Sequence, residues 1–173
     1  MENSILNRKR ILAVDDEPDV LDTLQDLLED YDGLIFDRAT DYETGFHQLR
    51  SWTYDVVILD IMGVRGFDLL SVSFHRGFPT VMLTGHALSV ESLKKSIDLG
   101  ARAYIPKEKM AEIPEFLEDV ITLDHSSGLT RMFQRLDGFF NARFGSRWME
   151  SEKKFWDRVV SGKYSPDPVI LKK

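Results

Sequence analysis

The sequence predicts an α/β fold, a doubly wound parallel sheet of five strands, followed by a C-terminal helical extension. Three observations carry that reading. Between Arg10 and Leu123, short apolar runs alternate five times with segments of helical character, which is how a parallel sheet covered by helices is written. Charge changes sign along the chain: residues 1–124 hold 12 Lys and Arg against 24 Asp and Glu, a balance of −12, whereas residues 125–173 hold 10 against 5, a balance of +5. The second stretch also carries eight of the chain's 19 aromatic residues, too many for a solvated tail.

The five runs are Ile11-Leu12-Ala13-Val14, Leu34-Ile35-Phe36, Val56-Val57-Ile58-Leu59, Val81-Met82-Leu83 and Ala103-Tyr104-Ile105. The first and third are unbroken and read as strands buried on both faces. After Pro18, suited to a first helical turn, Val20, Leu21, Leu24, Leu27 and Leu28 form one apolar helix face. Thr40 with Glu43 has the spacing of a capping box for a shorter helix. Leu93 and Ile97 mark another, ending near Gly100. The last unit repeats the apolar stripe through Ile113, Phe116, Leu117, Val120 and Ile121.

A boundary is expected near Asp124, giving a domain over 1–124 and a basic, aromatic-rich extension over 125–173, with His125-Ser126-Ser127-Gly128 as connector. In the extension, Leu129, Met132, Phe133, Leu136 and Phe140 share a helical face, and Phe155, Trp156, Val159 and Val160 suggest a second helix after a break at Gly145–Trp148. Such a face must be covered, by the acidic domain, by a second copy across a dimer axis, or by a downstream protein. The chain has no cysteine, which excludes disulfide scaffolds, thiolate zinc sites and cysteine nucleophiles. No signal-peptide core precedes Ile11 and no run approaches ~20 apolar residues, so a cytoplasmic protein without a membrane partner is expected.

In an open parallel sheet, ligands bind at the carboxyl ends of the strands, so the residues just after each run are the informative ones. They are Asp15 and Asp16 after the first, Asp60 after the third, Thr84 after the fourth and Lys107 close after the fifth. Three carboxylates gathered at one edge repel one another unless a cation neutralises them, and Mg²⁺ is the hard, oxygen-seeking ion suited to the task. A carboxylate beside such an ion, with a hydroxyl and an ammonium at hand, can attack phosphorus and stabilise the charge on the transferring oxygens. Asp60 is the expected nucleophile, Lys107 the cation for a phosphoryl oxygen and Thr84 a hydrogen-bond donor, with Gly85 leaving room. Glu17 and Asp19 suit the positive end of a helix, contact of Glu17 with the metal's water shell being the lesser alternative, and His86 reads as a surface loop residue.

Asp15-Asp16, Asp60, Thr84-Gly85, and Tyr104 three before Lys107 resemble the pattern of response-regulator receivers of two-component signalling, over about residues 9–123. The resemblance implies a flavodoxin-like sheet of strand order 2-1-3-4-5 and phosphorylation of Asp60 by a sensor histidine kinase or phosphotransfer protein. It implies Mg²⁺ contacts from Asp16, Asp60 and the backbone carbonyl of Met62, with Asp15 acting mainly through water. It also implies a switch in which Thr84 moves toward the phosphoryl group and Tyr104 turns inward, altering the face of the fourth helix, fifth strand and fifth helix. The expected role is that of a phosphoacceptor signalling protein rather than an enzyme.

Two departures bear on the site. The turn Ile61-Met62-Gly63-Val64-Arg65-Gly66 lacks the usual Met-Pro and is about two residues shorter, so a reshaped loop is expected; and Pro106 precedes Lys107 where receivers carry a proline after it. A haloacid-dehalogenase-like phosphatase also uses Asp, Thr, Lys and Mg²⁺, but its acid/base Asp falls on Met62 here and its paired acids follow the lysine. A dinucleotide site is disfavoured by Asp15-Asp16-Glu17 where glycines would be needed. A DNA-binding regulator using the basic extension is a further alternative, but with no helix-turn-helix pattern or zinc ligands a nucleic-acid partner is not expected.

Overall fold

The computed structural model describes residues 2–165. Its centre is a parallel sheet of β1 (Arg10–Val14), β2 (Ile35–Ala39), β3 (Val56–Leu59), β4 (Thr80–Thr84) and β5 (Ala103–Pro106). The strand order is β2-β1-β3-β4-β5. Around it lie α1 (Pro18–Leu28), α2 (Tyr42–Ser51), α3 (Gly66–His75), α4 (Val90–Asp98) and α5 (Ile113–Thr122), followed by α6 (His125–Phe144) and α7 (Lys153–Val160). The chain thus folds as the doubly wound α/β sheet that the alternation predicts, with the helical extension attached.

Strands covered on both faces are the apolar ones: every residue of β3, β4 and β5 is buried, as are Ile11 to Val14 in β1. β2 sits at an edge, and its bounds run past the apolar stretch that marks it in the sequence. Its polar positions are used, since Asp37 accepts from Arg10 Nε at 3.0 Å and from the Tyr54 hydroxyl at 2.8 Å. Register places the strand ends together: Val14 pairs with Leu59, Leu59 with Met82, and Thr84 with Pro106. Asp15, Asp60, Thr84 and Lys107 therefore emerge from one edge of the sheet.

Two local expectations need correction. The cap of α2 is Asp41, whose carboxylate accepts from the Thr44 N–H at 2.8 Å, and not Thr40 with Glu43. One residue's shift in the helix start changes which side chain can reach the free N–H groups. α3 carries no clear sequence signal, because Ser71-Val72-Ser73-Phe74 alternates as a strand would. The segment His125–Gly128 is not a connector but the first turn of α6, capped by Asp124 Oδ1 on the Ser127 N–H at 2.8 Å. Only Leu123 and Asp124 separate α5 from α6. Val160 ends α7 on its outer side at 39% exposure, while Trp156 and Val159 point inward.

The extension packs on the acidic part of the same chain. Leu129, Met132, Phe133, Leu136 and Phe140 are all buried, and α6 lies against β5 and α5, with α7 against α6. Trp148 and Trp156 meet at 4.8 Å between ring centroids, and Phe133 and Phe140 close the cluster. Charge complementarity supports the docking at its rim, through Arg135 with Asp119 and Arg143 with Glu108, each at 2.6 Å. The Tyr164 hydroxyl donates to the Ile97 carbonyl of α4 at 3.0 Å. The face of α4, β5 and α5 is thereby covered by the chain's own helices, the first of the three covers expected for the extension. Residues 166–173 of the expected extension lie outside the described residues.

Candidate functional site

The site is built from the turns that follow the strands. Asp15 and Asp60 are almost fully buried, while Asp16 and Glu17 face solvent, and one carboxylate oxygen from each of the four lies within 4.8 Å of those of the others. The Lys107 ammonium enters from the β5 side. It stands 3.0 Å from Asp15 Oδ2, 3.5 Å from Asp60 Oδ2 and 2.9 Å from Glu17 Oε1. Asp15 Oδ1 accepts from the Glu17 N–H, and Asp60 Oδ1 from the Ile61 N–H, each at 2.9 Å. Asp15 Oδ2 has no partner in hydrogen-bonding geometry, so it meets Lys107 as an ion pair alone.

These neighbours set the protonation of the site. Burial, and then the charge of Asp15, push the Asp60 carboxyl up to about 6, against the pull of Lys107. Burial likewise raises Asp15. Burial works against the Lys107 ammonium, but its hydrogen bond to Glu17 and its close ion pairing with Asp15 and Asp60 outweigh it and raise the group to about 12. Glu17 is held below the usual carboxylate range by its hydrogen bond to Lys107. Its carboxylate faces the lysine rather than capping α1, where it makes no side-chain cap.

The short turn after β3 packs closely against the acids, and glycines make the approach possible. Gly63, at φ +84°, lies so close to the Asp16 carboxylate that a β-carbon would overlap it, and Gly66 lies equally close against the Asp60 carbonyl. Arg65 takes the left-handed conformation at φ 54°, and the Gly66 N–H closes the turn on the Ile61 carbonyl at 3.0 Å. Met62 stands in this turn with its side chain 55% exposed. Gly85 approaches the Lys107 stem, to which an added β-carbon would come within 3.4 Å. Peptide bonds are trans throughout the described residues. Lys107 reaches the acids without a proline after it.

The acids suit a divalent cation. They offer hard oxygen donors in excess of the single ammonium that faces them, and one buried carboxylate oxygen still lacks a hydrogen-bonding partner. Thr84 is 0% exposed, and its hydroxyl has no partner among the described residues. Tyr104 is also 0% exposed and already points inward, its hydroxyl 2.6 Å from Ser92 Oγ. The ties of Tyr104 to Ser92 and of Glu17 to Lys107 escape sequence reading. The pair Ser89 and Ser92 carried a usable signal, since they cap α4 reciprocally at the capping-box spacing.

Comparison with known proteins agrees with this geometry. Residues 11–118 match the family described as the response regulator receiver domain. The transcriptional regulatory protein DltR of Streptococcus agalactiae is 30% identical over 148 residues, covering 83% of this chain and 64% of DltR. CusR of Escherichia coli is 32% identical over 102 residues, covering 57% of this chain and 44% of CusR. The chain therefore spans less than two thirds of the length of these relatives. Among solved structures, a CheY-like receiver domain protein from Methanospirillum hungatei JF-1 superposes with a TM-score of 0.53 at 28% identity, covering 65% of this chain and 95% of that one. The receiver domain of an HD domain-containing protein from Pseudomonas fluorescens Pf-5 shares the fold at a TM-score of 0.59, covering 70% of this chain and 93% of that one at 23% identity. With its sheet order, its clustered acids and a family match over most of its length, the chain belongs to the response regulator receiver family.

Proposed function

We propose that this chain is a cytoplasmic phosphoacceptor signalling protein that takes a phosphoryl group on Asp60 from a histidine kinase or phosphotransfer protein. One observation carries the reading: the Lys107 ammonium lies between Asp15 and Asp60, within ion-pairing distance of both. At neutral pH Asp60 is mostly ionised, with its raised value of about 6, and so is a competent nucleophile. Its oxygen forms the new P–O bond as the donor's P–N bond breaks, and the bonding pair leaves with the donor imidazole. Lys107 supplies a fixed positive charge for a phosphoryl oxygen, and the unpartnered Thr84 hydroxyl a hydrogen bond for another. Asp16, Asp60 and the Met62 carbonyl would hold Mg²⁺, with Asp15 acting through water. The ion would neutralise charge on the acids and the transferring oxygens.

Acetyl phosphate with Mg²⁺ is expected to add one phosphoryl group to the wild-type chain and none to Asp60→Asn, read by intact-mass spectrometry. Equal labelling of the two would remove Asp60 from its assigned role. Lys107→Ala should keep some labelling but lose the accompanying change in hydrogen exchange. The domain boundary near Asp124 is part of the same proposal, with the described part of the extension, residues 125–165, as an intramolecular layer rather than a separate output domain. Because the relatives are named as transcriptional regulators, and α6 and α7 are basic, DNA binding is the reading to set beside this one. Absence of any gel retardation at low salt would remove it.

A further inference from the structure

Contacts through Tyr104 join the segment that follows Thr84 to the C-terminal helices. Its hydroxyl lies 2.6 Å from Ser92 Oγ, accepts from the Ser89 N–H at 3.3 Å and lies 3.5 Å from the Ala87 carbonyl. Ala87 and Ser89 belong to the segment that leads from Thr84 into α4. On its other side, the Tyr104 N–H points at Met132 Sδ at 3.3 Å, and its ring lies 6.3 Å from that of Phe140. Both partners are buried residues of α6. With Tyr104 at 0% exposure beneath that helix, the extension covers the side chain that ties down the segment after Thr84.

The Thr84 hydroxyl is buried without a partner among the described residues, a costly arrangement that persists only where the surroundings hold it. The segment after Thr84 is held by Tyr104, and Tyr104 by α6. Resting on the Asp60 phosphoryl reading, we propose that Met132 and Phe140 are positioning residues for the phosphoryl site. By keeping Tyr104 inward they fix the Thr84 segment, so that the hydroxyl is already in place for an incoming phosphoryl oxygen. The inward turn expected of Tyr104 on activation is then a standing feature of the docked chain. Occupancy of Asp60 and docking of α6 favour one another, because a coupling between two sites is reciprocal.

The test uses the full chain and beryllofluoride, an aspartyl-phosphate mimic, with affinity read by calorimetry in saturating Mg²⁺ and a separate titration with Mg²⁺ alone. Phe140→Ala is expected to weaken beryllofluoride binding by about tenfold, with Mg²⁺ affinity nearly unchanged, and Phe140→Leu to recover most of the loss. Tyr104→Phe keeps the ring but cuts the hydroxyl ties, and should weaken the mimic by about fivefold without undocking α6; it decides the matter if Phe140→Ala does not fold. In wild type, beryllofluoride should slow amide exchange across α6. Unchanged or tighter mimic binding in Tyr104→Phe would overturn the positioning role, as would an equal loss of Mg²⁺ affinity. Acetyl phosphate labelling of the wild type separates the two ideas: normal labelling with unaltered variants sinks only the positioning role, whereas no labelling sinks the phosphoryl reading and this inference with it.

Discussion

The carboxyl edge of the sheet and the face beneath α6 are a few residues apart along β5, yet they obey opposite physical rules. At the edge, Asp15 and Asp60 are buried beside each other, and the Thr84 hydroxyl is left without a partner among the described residues. Beneath α6 the groups are mostly apolar and fill their space with stacked and edge-on rings. The first region holds unfavourable charge ready for chemistry. The second supplies packing that makes such an arrangement tolerable, the usual exchange between activity and stability.

The contrast can be attacked most forcefully from the packed side. Trp156→Ala removes a fully buried ring from between Trp148, Phe133 and Phe155, and should cost ~3–5 kcal/mol in urea denaturation. A loss under ~1 kcal/mol would mean the extension adds little to the fold.

Acid should weaken the same region next. Burial, and then the charge of Arg102, hold the His125 imidazole down at about 4 from an ordinary 6.5. An unfolded chain therefore binds the extra proton first as pH falls. The stabilisation is complete above pH 6.5 and is lost as pH drops toward 4, by up to ~3 kcal/mol. His125→Gln should flatten that part of the pH profile, measured by denaturation at a series of pH values. An unaltered slope would show that another group is responsible.

At the acidic edge the sign reverses. With Asp60 raised from 3.8 to about 6, its contribution is fully present below pH 3.8 and is lost as pH rises through 6, so the ionised group weakens the fold at neutral pH. Asp60→Asn should then stabilise the protein by ~2 kcal/mol at pH 7.5 and very little at pH 4. A destabilised Asp60→Asn at pH 7.5 would break the contrast between the two regions. The smallest effect belongs to the rim: Arg135→Ala, which loses the pair with Asp119, should cost about 0.2–1 kcal/mol, and half that or less in high salt.

Much of the architecture was legible because its signals are local. Runs such as Val56–Leu59 need no context to read as buried strands, and Pro18 and Gly100 mark helix ends through their own backbone preferences. α3 was hidden because apolar residues and serines alternate within it, and only packing against β3, β4 and α2 selects the helix. The first turn of α6 was hidden for a related reason. Small polar residues read as a connector, yet Asp124 caps them into a helix that buries Gly128 and Leu129.

The candidate site divides in the same way. Asp15, Asp16, Asp60, Thr84 and Lys107 could be named from the sequence because each ends or follows a strand, and parallel strands bring their carboxyl ends to one edge. The pairing of Glu17 with Lys107 joins residues 90 positions apart in the chain, and no local pattern announces it.

By itself, the sequence determined the parallel sheet, its helices and the edge where acids and a lysine collect, because hydrophobic period and residue order act at short range. Only the tertiary structure decided that α6 and α7 fold back over β5, that Tyr104 is sealed beneath them, and that the face of α4, β5 and α5 is occupied. The aromatic helices needed a cover. Which surface provides it depends on shape and charge matching between distant segments, a property that exists only once the sheet has formed.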